Sequence, residues 1–355
     1  MNINWSITAA LARVRESFIA IAQIVIAAMV GYSIAHFGLS HATPIFAVTV
    51  TIASLGFSRD ARIRRVFETA VGMVVGIALS EVSLLLIGVG VPQMALVLFI
   101  ALLTARFLSN NAAFALTVGL QAMLVYIAPT PDGGAFVRSF DGLIGGLTAL
   151  LFTAFLPRNP IGMAAKDAGK LFVVFLDSVD ALARAVRVAD VKTVDAALVR
   201  VRRSQPLVDN WKLSLDSAVS VSRISPFMKK HRGELSDQMR LMRGMDLATR
   251  NLRVVVRRVD FLIRDGVARP YLADLFEQIS EATAVLAKGL EGPDALNEAK
   301  QMLIKIIHQL DPKKFGIADQ LREASVLLLL RPLLIDLLSA AGMADDAARA
   351  ELPVI

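Results

Sequence analysis

Apolar positions fill the first 156 residues in runs too long for strands or for helices of a soluble core. From Phe18 to Ser58 there are 41 consecutive residues without Asp, Glu, Lys or Arg, about twice the roughly 20 that one membrane-crossing helix needs. The run breaks at Gly38 to Pro44, which predicts span one over Phe18 to Phe37 and span two over Pro44 to Phe57. Later runs predict span three from Val66 to Val89, span four from Gln93 to Ser109, span five from Ala112 to Ala128 and span six from Arg138 to Leu156. The first apolar stretch is too long for a cleaved leader and is followed directly by more spans.

Beyond Pro157 and Pro160 the apolar positions recur with a helical period, as in Leu171, Phe172, Phe175, Leu176, Val179 and Leu182, with charges between them. Helices are predicted over 161–189, 191–224, 234–265, 268–290, 293–310 and 316–342, with breaks at Pro206, Pro226, Gly233, Gly266, Gly292 and Asp311-Pro312. The apolar run from Ser325 to Leu338 is interrupted by Arg331 and Pro332, so it is expected as a core or subunit-contact helix. The fold class predicted is an all-α membrane protein, with a six-span domain over 1–158 and a cytoplasmic helical bundle over 159–355.

Charge sharpens this division. Residues 1–156 hold 14 charged side chains, eight basic and six acidic, and residues 157–355 hold 55. Basic residues cluster at one side of the spans: Arg13 and Arg15 before span one, Arg59, Arg62, Arg64 and Arg65 between spans two and three, Arg106 near the four-to-five turn, and Arg158 after span six. The other side holds His36, His41, Asp132 and Arg138. By the positive-inside bias both termini are expected in the cytoplasm, with the chain in the plasma (inner) membrane. The net charge of +7 is spread over both halves and is better explained by the bilayer than by nucleic acid, which is not an expected partner. Arg253, Arg257, Arg258 and Arg264 lie on one long helix with Asp260 and Asp265 nearby, a solvated, partly paired face or else a stripe facing lipid headgroups.

The three-span halves repeat one another. Arg65, Phe67, Glu68, Gly72 and Gly76 match Arg138, Phe140, Asp141, Gly145 and Ala149 at a constant offset of 73, Ser80 and Thr153 continue the series, and Phe46–Val50 matches Phe114–Val118 at 68. Three spans per copy invert the second copy, which predicts two inverted repeats, 18–89 and 93–156, with a transport site between them near the midplane. Glu68, Gly72, Gly76 and Ser80, like Asp141, Gly145, Ala149 and Thr153, fall four apart on one helical face, so Gly72, Gly76, Gly145 and Ala149 are expected to pack spans three and six together.

Ionisable groups inside spans are the candidate chemistry, because burying one costs roughly 2.5 to 3.5 kcal/mol near the membrane centre on insertion scales. Glu81 is the deepest, while Glu68 and Asp141 each follow an arginine by three residues and can pair with it locally. Either these are neutralised helix-end anchors or Glu68, Glu81 and Asp141 couple protons while Arg65, Arg106 and Arg138 hold a substrate anion. Spans two and five are short and repeat-related, which marks Thr49 and Thr117, with Gln121, Tyr126 and Tyr32, as candidate lining of a substrate site. The chain has no cysteine; its four histidines show no ligand spacing, so no metal is expected. With no P-loop, GxGxxG after a strand, GxSxG or HExxH, no cofactor or enzymatic chemistry is predicted.

The segments Arg65-Val-Phe-Glu-Thr-Ala-Val-Gly72-Met-Val-Val-Gly76 and Arg138-Ser-Phe-Asp141-Gly-Leu-Ile-Gly145, with Phe155-Leu-Pro157 closing span six, resemble the fusaric acid resistance protein family of aromatic acid exporters, related to aluminium-activated malate transporters of plants. The resemblance implies export of small aromatic organic acids. Many exporters of that family carry two membrane blocks, so one block here implies a homodimer. The function expected is proton-linked efflux of such acids through the bilayer; a passive organic-anion channel, and a membrane-anchored scaffold that recruits a partner through the helical domain, are the alternatives.

Overall fold

The computed structural model describes residues 7–56, 63–129, 134–155, 160–224, 231–290 and 292–354. Helices form every regular element among them, and none is a strand. Arg59, Arg62, Asp132, Arg158, Pro157 and Pro226, which entered the sequence reading, lie outside the described residues. The chain divides into two compact units, Met1–Arg158 with Val219–Lys229, and Asn159–Ala218 with Lys230–Ile355.

The first unit contains α1 (Ile7–Ser33), a π-helical turn (Ile34–Gly38), α2 (Ile45–Leu55), α3 (Ile63–Ile87), α4 (Val91–Leu108), α5 (Ala112–Ile127) and α6 (Val137–Phe155). Four stretches, Ser17–Gly38, Ile63–Ile87, Val91–Leu108 and Val137–Phe155, are long and apolar enough to cross a membrane. The other two helices are shorter. With 11 residues, α2 is only about 16 Å long at 1.5 Å per residue, about half a hydrocarbon core. It follows Pro44, which cannot continue a helix backwards, and stops at Gly56, whose φ of 44° turns the chain away.

Short length is tolerated because α2 packs on α1, α3 and α6, with Ala47, Val50 and Thr51 fully enclosed. Around the outside, Leu116 and Leu120 of α5 and Leu143, Leu147 and Leu151 of α6 are exposed. Four-residue spacing puts each set on one helix face, an apolar surface suited to lipid.

The small-residue faces pack differently from the expectation. A β-carbon on Gly72 would overlap the Phe114 ring, and one on Gly76 would lie 2.8 Å from the Val118 side chain, so this face of α3 rests on α5. On α6, a β-carbon at Gly145 would overlap the Ala47 carbonyl, so that face rests on the backbone of α2. Contact between α3 and α6 uses other small residues: Gly146 against Ala70, and Gly142, whose β-carbon would lie 3.0 Å from Ile77. Faces aligned at four-residue spacing fix which residues are small but not which neighbour fills the space.

The second unit is built from α7 (Pro160–Val188), α8 (Val191–Arg202), α9 (Gln205–Ile224) as far as Ala218, α10 (Arg232–Ile263), α11 (Pro270–Lys288), α12 (Pro293–Ile307), α13 (Leu321–Ala340) and α14 (Asp345–Ala350). The helix predicted over 191–224 is two, because the chain turns at Arg203–Ser204, where Leu207 N–H donates to the Ser204 carbonyl and Pro206 cannot donate to a continuing helix. The short α14 carries no apolar period and was not anticipated. Trp211 and Phe172 fill the core side by side, with ring centroids 6.2 Å apart. The apolar run in α13 is core: Val326, Leu327, Leu330, Leu333, Leu334, Leu337 and Leu338 have no exposed surface. Beside it Arg269 is buried, held by Asp265 through 3.0 and 2.6 Å bonds and by Glu323 at 2.9 Å.

Two outcomes follow. Replacing Gly145 by Ala forces a β-carbon into the Ala47 backbone, which cannot yield as a side chain can, and should cost about 1–3 kcal/mol. Gly169 on α7 has nothing within 4 Å of the equivalent position, so Gly169→Ala should be neutral or stabilise by up to about 1 kcal/mol through helix propensity; thermal melts of the detergent-purified chain distinguish the two. Burial pushes the Asp336 carboxyl up to about 6, opposed by the hydrogen bond from Asn251 and reinforced by Asp345. Because the folded value lies above the unfolded one, this group's contribution to stability falls as pH rises from about 4 to about 6 and stays reduced above. Asp336→Asn should flatten that slope and raise the melting temperature at pH 7, read by Trp211 fluorescence in a Trp5→Phe background.

Candidate functional site

Polar groups inside the first unit gather at one end, where the turn before α2, the C-terminal part of α3, the end of α5 and the start of α6 meet. Glu81 of α3 is 6% exposed and sits on the first turn of α6. One carboxylate oxygen accepts the Arg138 backbone N–H at 3.1 Å; the other accepts the Ser139 N–H at 3.1 Å and the Ser139 hydroxyl at 2.5 Å. A helix start has free N–H groups and a positive dipole end, so a carboxylate is well placed there. Hydrogen bonds to a charged group contribute roughly 1.5–3 kcal/mol each, so three of them exceed the insertion cost of the acid.

The Arg138 guanidinium turns the other way. Its Nη2 donates to the carbonyls of Ala128 and Pro129 at 2.9 and 2.8 Å, just beyond the C-terminus of α5. Cations suit this end of a helix, where carbonyls lack partners. One turn into α6, Asp141 meets His41 Nδ1 at 2.6 Å, the side chains being 3% and 16% exposed. The His41 carbonyl is 2.8 Å from His36 Nδ1, and His36 stacks on Tyr32 with centroids 5.4 Å apart. The turn that presents His41 is itself unusual: it follows the π-helical segment and places Ser40 at a φ of 59°, a region that non-glycine residues seldom occupy.

Chemically, the two acids differ. Glu81 is held by three donors on α6 and so ties α3 to α6. Asp141 faces an imidazole, which can take up a proton at the ring while remaining hydrogen-bonded to the carboxylate.

A second polar contact joins the two short helices. Thr49 Oγ1 on α2 donates to Gln121 Oε1 on α5 at 3.2 Å, and the Gln121 amide reaches Met73 Sδ at 4.0 Å. Gln121 is 4% exposed. Thr51 donates to the Gly145 carbonyl at 3.0 Å and to Ala47 at 2.7 Å, and the Tyr126 hydroxyl is 2.8 Å from Ser83 Oγ. Thr117, the sequence counterpart of Thr49, is half-buried on α5.

The remaining candidates lie elsewhere. Glu68 is exposed and pairs with Arg64, four residues back, at 2.7 Å; the expected partner three residues back, Arg65, is half-buried. Asp141 likewise pairs with His41 in place of Arg138, whose side chain is held by α5. Arg106 is exposed near the end of α4 and donates to the Asn110 carbonyl at 2.8 Å. Thus Glu81, Arg138 and Asp141 come together, while Arg65 and Glu68 lie at the opposite end of α3, and no ring of three arginines forms. Sequence reasoning missed His41 because its partner is 100 positions away; its signal was a histidine in a short loop of a half otherwise poor in polar groups.

If Glu81 is an anchor, Glu81→Gln should lower the melting temperature markedly, since an amide presents one acceptor oxygen where three donors converge; the expected loss is about 1–3 kcal/mol. Glu68→Gln breaks only an exposed pair and should change stability by no more than about 1 kcal/mol. Melts of the two purified variants against the parent chain check the contrast.

Comparison with known proteins places this unit. A protein of Corynebacterium glutamicum named only as uncharacterized is 27% identical over 96% of this chain and 90% of its own length. A Mycobacterium tuberculosis protein named "Putative arylamide transporter" is 30% identical over 157 residues, 42% of this chain and 44% of that protein, and its Mycobacterium bovis counterpart aligns equally. The chain therefore spans less than half the length of the two mycobacterial relatives. Residues 26–152, from α1 into α6, match the family described as fusaric acid resistance protein-like.

Proposed function

We propose that the chain is a multi-pass membrane transporter that exports small aromatic compounds, organic acids among them, in exchange for protons. The observation that carries this reading is the Asp141–His41 pair, almost enclosed within a unit whose outer surface is apolar. A structural acid in such a place needs only fixed donors, as Glu81 has. Asp141 has instead a partner that can itself take up a proton. The aromatic preference rests on the family description and on the name of the mycobacterial relatives.

Alternating access is proposed to come from two inverted three-helix repeats, 18–89 and 93–156. Equivalent contacts support this: Gly72 lies on Phe114 of α5, and Gly145 on Ala47 of α2, so each repeat's third helix rests on the other's second. Ser80 donates to the Gly76 carbonyl and Thr153 to that of Ala149. The halves differ where it matters, since the position equivalent to Glu81 is Ala154. Thr49 and Gln121, at the contact of α2 with α5, with Thr117 and Tyr126, are proposed to line the substrate path. Arg138 and Arg106 donate to backbone carbonyls, and Arg65, Arg106 and Arg138 are proposed to meet a substrate carboxylate. We place both termini in the cytoplasm and take the working unit to be a homodimer in the inner membrane.

The test is flux into proteoliposomes of the purified chain, using aromatic carboxylates, arylamides and aliphatic carboxylates, with and without a pH gradient. Aromatic compounds should accumulate only with the gradient, and Asp141→Asn should reduce that accumulation at least about tenfold while leaving the melt little changed. Equal flux with and without the gradient would mark a passive channel, and no flux of any compound would leave an anchor for the helical domain as the better account.

A further inference from the structure

Helix α10 has a face that neither the core nor the ion pairs of the second unit explain. Going along it, Arg243, Leu247, Arg250, Val254, Arg257, Phe261 and Arg264 are all exposed, with alternating steps of four and three residues. That spacing keeps all seven on one stripe, about 32 Å long. The apolar members are well exposed, Leu247 at 46%, Val254 at 48% and Phe261 at 57%, and the arginines fall between them.

The charge is one-sided. From Arg243 to Arg264 there are six arginines and two acids, Asp246 and Asp260. Both acids are occupied, by Arg250 at 2.7 Å and Arg264 at 3.0 Å, and Arg258 turns to Ser325. Arg243 and Arg257 have no acidic partner among the described residues. Arg253, three and four residues from Arg250 and Arg257, has its Nε and one terminal nitrogen buried with no hydrogen-bond partner. With those nitrogens enclosed, Arg253 belongs to the packed side of the helix and leaves the exposed stripe to Arg243, Arg250, Arg257 and Arg264.

We propose that this face of α10 docks on an anionic bilayer surface, the arginines meeting lipid phosphates while Leu247, Val254 and Phe261 enter the headgroup–acyl boundary. Interleaved basic and apolar side chains on one helix face suit an interfacial helix. Charge excludes a second copy of the same stripe, which would set arginine against arginine with no acid to answer it, and one apolar position per heptad is not the two that a coiled-coil seam needs. Free phosphate or nucleic acid would match the arginines but leave the apolar positions in water. The membrane half tethers the unit, which raises the effective concentration of the lipid surface. The proposal does not depend on what is transported.

The experiment uses the absence of cysteine in the chain. Val254→Cys carries an environment-sensitive fluorophore in the full-length protein, reconstituted in nanodiscs of phosphatidylcholine alone or with one third phosphatidylglycerol, with and without spin-labelled lipid as quencher. Val173→Cys on α7, likewise exposed, serves as control. The label at 254 should shift to the blue and be quenched by lipid in anionic discs but not in neutral ones, reverse in high salt, and leave the label at 173 unchanged. Arg243→Gln with Arg257→Gln should weaken docking on the order of tenfold, and the corresponding lysine pair should restore it. The proposal is overturned by no shift, by a shift of equal size in neutral discs, by a shift without lipid quenching, or by disulfide-linked dimers of the unlabelled Val254→Cys chain.

Discussion

Inside a hydrocarbon environment a carboxylate must find its donors within the protein, and Glu81 finds three on the first turn of α6. Much of the first unit depends on that contact. It fixes the C-terminal part of α3 against the start of α6, so the two long helices run antiparallel with a set register. With the first turn of α6 held, Arg138 can reach only the end of α5, and Asp141, one turn further in, is presented to the loop before α2. The same end thus satisfies a helix start with an acid and a helix end with a base, as the polarity of the peptide dipoles requires.

Small residues supply the second constraint. Lipid offers no hydrophobic drive for helices to pair, so close approach of backbones has to replace it. Gly145 on Ala47, Gly72 on Phe114 and Gly146 on Ala70 are such approaches, and each leaves no room for a methyl group. They seat α2 against α3 and α6, and α5 against α3, and Thr49 of α2 meets Gln121 of α5. A helix of 11 residues could not persist alone at this depth, since its free ends would face lipid. Enclosure by α1, α3 and α6 makes it possible.

Which charges lie inside the apolar half was legible along the chain; how they pair was not. Apolar runs and their breaks gave α2 to α6 to within a few residues, because burial in lipid leaves a continuous signal, while α1 begins at Ile7, eleven residues before the predicted start of span one. The helical period gave α7, α10 and α11 as closely; over 191–224 the reading carried one helix through the break it marked at Pro206, whereas the chain turns there and starts a second helix at Gln205. Glu81, Arg138 and Asp141 stood out as charges in an apolar half. Local spacing then suggested partners three residues away, whereas Asp141 meets His41 from a distant loop and Arg138 meets the carbonyls of α5. Such contacts depend on how helices are threaded past one another, which one chain's spacing does not encode. The stripe on α10 needed the structure for a similar reason: Arg253 and Arg258 share its sequence neighbourhood, but only the burial of their side chains separates them from Arg243, Arg250, Arg257 and Arg264.

The central claim is that Asp141 with His41 forms the group whose protonation changes when substrate binds. Calorimetric titration of the purified chain, with an aromatic carboxylate that gives flux, in two buffers of the same pH but different heats of ionisation, counts the protons exchanged on binding. The account requires a net proton exchange that disappears in both Asp141→Asn and His41→Gln while the ligand still binds. Proton exchange of the same size in those variants, or none in the parent chain, would contradict it.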